Sequence, residues 1–315
     1  MSAVTENGQP SPHSTLRRLV ARRPVTSFLI MLYTITWTVF LPVVLQARGL
    51  LALPIDLFKA FAFNAVLAIA STLGIALPAL LVTAATGGKD GVRDLLRRSL
   101  RWRVGVQWYL LALFGLLAVM VIVGSVFQDL APLEVLVEKW PRFFTLFLPE
   151  VLLPFVFIQI FEEAGWTGFM QHTLQERRGP LVASILVAPA FVMQHLPIIL
   201  MDAGLGLGSV IVVGALVIVA VFFRVVVMWL YNGSGRSVLI VALFHSAYNS
   251  AWGTGDKNFT NELLSGSALL YAVVTVTVVT MVLAVLTRGR LAYEPERAGP
   301  RSAEAAEVEA QPNAR

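Results

Sequence analysis

The chain has 315 residues, of which 57% are hydrophobic and only 14% are charged, with a formal net charge of +5 and no cysteine. Soluble domains carry about 25% charged residues, so this composition excludes an ordinary soluble domain. The absence of cysteine excludes disulfides and thiol chemistry. Nucleic-acid binding is not expected either, because the arginines cluster beside apolar blocks, where membrane topology and anionic lipid headgroups explain them.

Apolar segments follow one another along the chain, most of them near the 20 or so helical residues needed to cross a bilayer. They are 26–46, 59–86, 106–127, one that starts near Phe143 and runs through Glu162 and Glu163, then 181–200, 209–230, 237–253 and 267–286. The arginine-rich stretch 87–105 between the second and third segments fits a short amphipathic helix on a membrane surface. The sequence therefore predicts an all-α polytopic membrane bundle of about eight transmembrane helices.

The two ends of the chain differ in composition from this bundle. Residues 1–24 are polar and rich in helix breakers, and residues 291–315 are low in complexity, so both are predicted to be disordered cytoplasmic segments. The transmembrane bundle is expected to occupy residues 25–290. Eight helices place both termini on one side, and the loops on that side hold most of the Lys and Arg residues. The prediction is a multi-pass protein of the cell membrane with both termini in the cytoplasm.

Ionisable and amide side chains inside the apolar segments are few. They include Glu162, Glu163, His195, Arg224, His245 and Asn249. Each ionisable residue costs about 2.5–3.5 kcal/mol to insert, so such residues usually face the bundle interior and serve a function. His245 and Asn249 are four residues apart and share one helix face. Glu162 and Glu163 are about 100° apart around a helix, so we expect one to face a site and the other to be held by a partner.

Two kinds of chemistry fit these side chains. A glutamate and two histidines can bind a metal ion that keeps an open position for water. Alternatively, a buried glutamate can activate water as a base while His245 and Asn249 stabilise an oxyanion. A single buried His or Asn is more often a helix–helix hydrogen-bond partner. Four such residues on three helices favour a functional site over that structural interpretation.

Three motifs in chain order resemble those of the CPBP family of intramembrane proteases, the CAAX-processing and bacteriocin-processing group. They are EEAGWT from Glu162, FVMQH ending at His195 and HSAYN from His245 to Asn249, and the resemblance covers about 143–253. It implies that Glu162 and His195 activate water, that His245 and Asn249 complete the site and that Glu163 supports it.

The resemblance also implies a cofactor and a reaction. Family members are described as metal-dependent, commonly with zinc, for which Glu162, His195 and His245 would be the ligands. The expected activity is that of an intramembrane endopeptidase in contact with membrane lipid, which hydrolyses a peptide bond of a membrane-associated or prenylated peptide or protein. The account in which glutamate and histidine activate water without a permanent metal stays open.

One position departs from the family motif. The arginine expected at the sixth position of the first motif is Thr167 in this chain. This change favours an alternative in which the protein is a catalytically inactive scaffold or an immunity protein. A transporter is a weaker alternative, because the sequence shows no repeated halves. Arg224 lies at about the same membrane depth as Glu163, so it is expected to replace the missing arginine in part by pairing with Glu163. The alternative is that the long Arg224 side chain reaches the cytoplasmic headgroups.

Overall fold

The computed structural model describes residues 12–203, 206–251 and 258–295, and within these ranges the chain is helical with no strands. Eight apolar helices form the bundle: α1 (Pro24–Ala47), α2 (Phe61–Ser99), α3 (Val106–Phe127), α4 (Trp140–Arg178), α5 (Pro180–Gln194), α6 (Leu207–Gly233), α7 (Val238–Ala251) and α8 (Ala268–Leu286). In this part of the chain six helices are long enough to cross a membrane, while α5 and α7 are shorter. The predicted fold class is confirmed.

The second predicted segment continues further than expected. α2 runs on through the arginine-rich stretch to Ser99, with one non-helical residue at Gly88 (φ 61°, ψ −150°). A glycine adopts this conformation without the steric cost that a Cβ atom would bring. The helical turns after Gly88 were predicted to lie on a membrane surface, but Leu95 and Arg98 are buried in the protein. Leu95 packs in a cluster with Trp166 of α4, which explains the difference.

Both ends of the chain contain ordered segments that the sequence-based prediction treated as disordered. Residues Pro12–Arg22 form a helix, and Arg17 Nε donates a hydrogen bond to the carbonyl oxygen of Ala85. At the other end, Leu291 is fully buried, and its carbonyl oxygen accepts a hydrogen bond from Asn232 Nδ2. The cause in both places is tertiary packing, which local composition does not reveal. Residues 1–11 and 296–315 of the predicted disordered segments lie outside the described residues.

Helix α7 lies at the centre of the bundle and is in contact with α3, α4, α6 and α8. Twelve of its 14 residues are buried, including His245. α5 packs extensively against α6, and α2 packs along α4. The helices that carry the candidate residues, α4 to α7, are therefore held against one another in the interior.

Two local irregularities lie beside the candidate residues. In α4 the stretch Ala164–Gln171 is π-helical and begins directly after Glu163. Such π-helical insertions are often found at functional sites, because they change the direction in which neighbouring side chains point. α5 ends at Gln194, where His195 has φ −83° and ψ 0°, and a second helix, Leu196–Ala203, follows at once. His195 thus occupies the break between two helices.

Candidate active site

The two adjacent glutamates point toward different helices, as their 100° separation predicts. Glu162 is 4% exposed and faces the end of α5, where Gln194 and His195 lie. Glu163 is fully buried and faces Arg224 of α6 and His245 of α7. The pair therefore connects α4 to three neighbouring helices.

Glu163 is the centre of a buried charged cluster. Arg224 Nη1 lies 2.9 Å from Glu163 Oε2, and both side chains are fully buried. The Thr167 hydroxyl donates a hydrogen bond to the same oxygen, and Arg224 Nη1 also donates to Thr167 Oγ1 at 3.3 Å. His245 Nδ1 lies 2.8 Å from the other oxygen, Glu163 Oε1. The predicted contact between Arg224 and Glu163 is present, and Thr167 contributes to it.

Aromatic rings surround the guanidinium group of Arg224. Its Cζ lies 4.1 Å from the ring centroid of Phe191, 5.3 Å from that of Phe223 and 5.9 Å from that of Trp166. Arg224 Nε and Nη2 have no hydrogen-bond partner among the described residues. The faces of aromatic rings attract a cation, most strongly when it is removed from water. This contact offsets part of the cost of burying the two unpaired nitrogens.

Glu162 is held by a different set of contacts. Gln194 Nε2 donates a hydrogen bond to Glu162 Oε1 at 3.3 Å, and Trp166 Nε1 donates to Gln194 Oε1 at 2.8 Å. An indole nitrogen is only a donor, so Trp166 fixes the Gln194 amide with its oxygen toward the indole and its NH₂ group toward Glu162. Sequence reasoning missed Gln194. The available signal was an amide in an apolar helix directly before His195.

The tautomer of His195 follows from its contacts. Its Nδ1 lies 3.1 Å from the carbonyl oxygen of Phe191, which can only accept a hydrogen bond. Nδ1 therefore carries a proton, and Nε2 of the neutral ring is an acceptor. Nε2 lies 3.9 Å from Glu162 Oε1. Two acceptors at this separation are too far apart for a direct hydrogen bond but suit one bridging water molecule.

A cavity of about 320 Å³ adjoins these residues. Its polar lining includes His195, His245 and Asn249, and Asn249 is exposed toward the surface. The remaining lining is largely apolar and comes from Phe191, Val192, Ile198, Ile199, Leu216, Val219, Ala220, Phe223 and Tyr248. Neither glutamate is part of this lining. The structure thus brings His195, His245 and Asn249 to one cavity, with each histidine close to a different glutamate.

The predicted metal ligands do not form a set around one point. Within the described ranges there is no group of three His, Cys, Asp or Glu side chains that could hold a metal ion. Glu162 is close to His195, whereas His245 contacts Glu163. The residues as arranged do not fit a three-ligand zinc site, and zinc bound by Glu162, His195 and His245 stays a prediction.

A scan of family models finds one match to this region. Residues 144–251, about a third of the chain, match the model described as "Type II CAAX prenyl endopeptidase Rce1-like". This range agrees closely with the 143–253 over which the motifs resemble the CPBP family. No curated protein matches the chain. The chain is therefore a multi-pass membrane protein whose residues 144–251 are similar to the Rce1-like model, and this match supports the resemblance to the CPBP family of membrane proteases.

Proposed function

We propose that the protein is an intramembrane endopeptidase in which Glu162 and His195 activate the attacking water. At the level of the family, the Rce1-like match supports CAAX-type endopeptidase activity. The observation that carries the proposal for this chain is the gap of 3.9 Å between His195 Nε2 and Glu162 Oε1. A water in this gap donates one hydrogen to each acceptor and directs a lone pair at the substrate.

The proton taken from water has a defined route. Attack on the scissile carbonyl carbon forms a carbon–oxygen bond, and the water proton passes to the Glu162 carboxylate. The protonated carboxyl then delivers that proton to the amide nitrogen as the carbon–nitrogen bond breaks. Gln194 holds Glu162 in place for both steps through its amide nitrogen. The products are a carboxylic acid and an amine.

His245 is suited to stabilise the negative charge that develops on the carbonyl oxygen. Its Nδ1 contacts Glu163, which leaves Nε2 as the ring nitrogen available to the cavity. When both ring nitrogens carry a proton, Nδ1–H donates to the Glu163 carboxylate and Nε2–H donates to the oxyanion. Asn249 follows one helical turn later and lines the same cavity, so its amide is placed to donate to the same oxygen.

The apolar walls of the cavity indicate the class of substrate. Side chains of α5 and α6, including Val192, Leu216 and Ala220, offer no hydrogen bonds to an extended polar peptide. They suit a segment that carries apolar side chains or a lipid modification and that reaches the site from the bilayer. We therefore propose a membrane-associated or prenylated peptide or protein as the substrate.

The test is cleavage of synthetic peptides by the purified chain in detergent. A farnesylated CAAX peptide, the same peptide without the prenyl group and an apolar transmembrane peptide serve as substrates, and the products are identified by mass spectrometry in H₂¹⁸O. We expect cleavage of at least one lipid-associated peptide with one ¹⁸O atom in the new carboxylate. Absence of cleavage of all three peptides would contradict the proposal and favour the inactive scaffold.

The same assay decides whether a metal takes part. After dialysis against a chelator, the metal content is measured by mass spectrometry and the peptidase activity is measured again. The mechanism through Glu162 and His195 predicts unchanged activity without bound metal. Loss of activity that zinc restores would support the predicted metal site instead.

A further inference from the structure

A second and larger cavity lies at the arginine-rich end of the bundle. It measures about 540 Å³ and is lined by Asp94, Arg97, Arg98, Arg101, Asn232, Gly233, Gly235, Arg236, Ala292 and Glu294. These residues come from three separate segments: the end of α2, the end of α6 and the chain after α8. We call this cavity the arginine cleft. It lies apart from the histidine-lined cavity and shares no lining residue with it.

The charges that line the arginine cleft do not balance. Four guanidinium groups face two lining carboxylates, and Arg236 also lies 3.5 Å from the carboxylate of Glu176 outside the lining, which leaves an excess of one positive charge. Loops rich in arginine are expected at the cytoplasmic side of a membrane protein, but that rule places them along a face and does not gather them into a cavity. Here three segments distant in sequence bring four arginines to one concave surface. A concave surface of one charge concentrates the field and attracts ions of opposite charge.

The protein itself uses only some of the available donors. Arg98 donates to Asp94, to the Gly168 carbonyl oxygen and to the Tyr231 hydroxyl. Arg101 Nη1 donates to the Gly235 carbonyl oxygen, which caps the end of α6. Both of these arginines have structural roles.

Arg97 has no such role. It is exposed, and within the described ranges no residue forms a hydrogen bond or an ion pair with it. A guanidinium group carries five N–H donors in a planar fork that matches phosphate oxygens. Arg97 therefore contributes a complete, unused donor set to the cleft.

In the described part of the chain, Asn232 adds a hydrogen-bond acceptor that lacks a donor, whereas Arg97 adds donors that lack an acceptor. Its Nδ2 donates to the Leu291 carbonyl oxygen, so the amide orientation is fixed. The amide oxygen, Asn232 Oδ1, is buried and has no hydrogen-bond partner among the described residues. A buried acceptor without a partner costs about 1–3 kcal/mol, which a ligand hydroxyl group would recover. Asn232 lines the cleft, so the cleft offers donors to an anion, and a ligand hydroxyl that reaches the covered Oδ1 on binding would satisfy this acceptor.

We propose that the arginine cleft binds a phosphate ester that carries a hydroxyl group, with the phosphate at Arg97 and the hydroxyl at Asn232. The cleft lies at the arginine-rich ends of helices α2 and α6, where the concentration of arginine leads us to expect the cytoplasmic lipid headgroups. A phosphatidylglycerol headgroup and free glycerol 3-phosphate have the same chemistry, and experiment separates these two sources. The proposal does not depend on the peptidase activity.

Binding is tested with the full chain in phosphatidylcholine nanodiscs, with and without phosphatidylglycerol, and separately with glycerol 3-phosphate added to phosphatidylcholine nanodiscs. The readouts are the thermal unfolding midpoint and the lipid retained in native mass spectrometry. We expect one bound phosphate ester and a concentration-dependent rise of the midpoint. A rise with phosphatidylglycerol alone identifies a lipid ligand, and an equal rise with glycerol 3-phosphate identifies a soluble ligand. No rise with either probe overturns the proposal.

Two matched substitutions separate a built site from general attraction. Arg97→Gln removes a lining charge without removing a contact within the protein, and Arg103→Gln removes a charge that stacks 5.1 Å over Trp102 outside the cleft. We expect about tenfold weaker binding in Arg97→Gln and unchanged binding in Arg103→Gln. Equal weakening in both variants overturns the proposal, because diffuse surface charge would then explain the binding.

The hydroxyl contact has its own control. Phosphatidylmethanol carries the same phosphate diester charge as phosphatidylglycerol but has no headgroup hydroxyl. If the ligand is the lipid, phosphatidylmethanol should bind more weakly than phosphatidylglycerol because it leaves Asn232 Oδ1 without a partner. Equal binding of the two lipids would overturn the assignment of the hydroxyl to Asn232.

Discussion

Thr167 and Arg224 together make the contact with Glu163 that the arginine of the family motif is expected to make. Both contact Glu163 Oε2, Thr167 from one turn along α4 and Arg224 from α6. The positive charge therefore reaches Glu163 across a helix interface instead of along its own helix. A substitution that removes a motif residue need not remove its interaction, because a neighbouring helix can supply the same group at the same depth.

Removing either partner of this buried pair should destabilise the protein. Arg224→Met leaves a buried carboxylate without its cation, and Glu163→Gln leaves a buried guanidinium without its anion; such losses cost about 3–5 kcal/mol. In a double-mutant cycle of thermal unfolding in detergent, we expect the double variant to lose clearly less than the sum of the two single losses. Additive losses would mean that the two side chains do not stabilise each other.

Gln194 should matter for turnover more than for substrate binding. Gln194→Leu removes the amide donor to Glu162, a hydrogen bond to a charged group, so we expect kcat to fall about tenfold or more with KM little changed. The matched control is Gln159→Leu, which removes a buried amide of α4 that has no bond to Glu162. Equal losses of kcat in the two variants would contradict a positioning role for Gln194. This prediction rests on the proposed peptidase activity.

The sequence could predict some of these residues and not others. Glu162, His195 and His245 stand out because charge and imidazole are rare in apolar helices. The depth of Arg224 in α6 suggested a pair with Glu163 but was equally compatible with contact to the cytoplasmic headgroups. The pairing of His245 with Glu163 instead of Glu162 depends on how α4 and α7 are rotated about their axes. This rotation is determined by packing over the whole bundle, and it cannot be deduced from the spacing of residues within one helix.

At the scale of helices, the close approach of α2 and α4 keeps the two glutamates in place. Gly165, two residues after Glu163, has no side chain where α2 passes, and a Cβ atom there would meet Ile75 Cγ2 and lie 3.1 Å from the Ile75 backbone oxygen. Ile75 is fully buried, so it has no free space into which to move. The absence of a side chain at this position allows the contact between the two helices.

Gly165→Ala should therefore lower both stability and activity. Overpacking of this kind costs about 1–3 kcal/mol, and we expect a fall of several degrees in the thermal midpoint in detergent. Gly214→Ala on α6 is the matched control, because a Cβ atom at Gly214 meets nothing within 4 Å. It should be neutral or slightly stabilising. A Gly165→Ala protein as stable as the control would show that the helix contact is not tight.

The lengths of the helices were partly predictable. The long apolar runs became helical, because backbone groups in lipid must be satisfied within the segment, but the run 181–200 is divided into two helices at His195. The continuation of α2 through Gly88 and the π-helical stretch after Glu163 were not predicted. The continuation of α2 is accompanied by the burial of Leu95 beside Trp166, and such a contact between helices has no signature in local hydropathy.

At the scale of the whole molecule, the eight helices predict the side on which each loop lies. Successive loops are alternately rich and poor in arginine, and arginine-rich loops are expected on the cytoplasmic side. Both termini and the loop after Arg101 are therefore expected in the cytoplasm, and the loop after Leu130 is expected outside. Reporter fusions after Arg101 and Arg290 should give the cytoplasmic signal, and a fusion after Leu130 the external one. The same signal at Arg101 and Leu130 would mean that α3 does not cross the membrane.

The central claim is that Glu162 is the base that activates water, and the most direct test is the turnover of Glu162→Gln on a cleaved peptide substrate. An amide occupies the same space but cannot accept the proton, so we expect kcat to fall by about 10²–10⁴ while the thermal midpoint stays near that of the wild type. Glu150→Gln, which changes a carboxylate of the same helix that contacts Ser250 and Asn258, should keep near-normal turnover. Full activity of the Glu162→Gln protein would contradict the account.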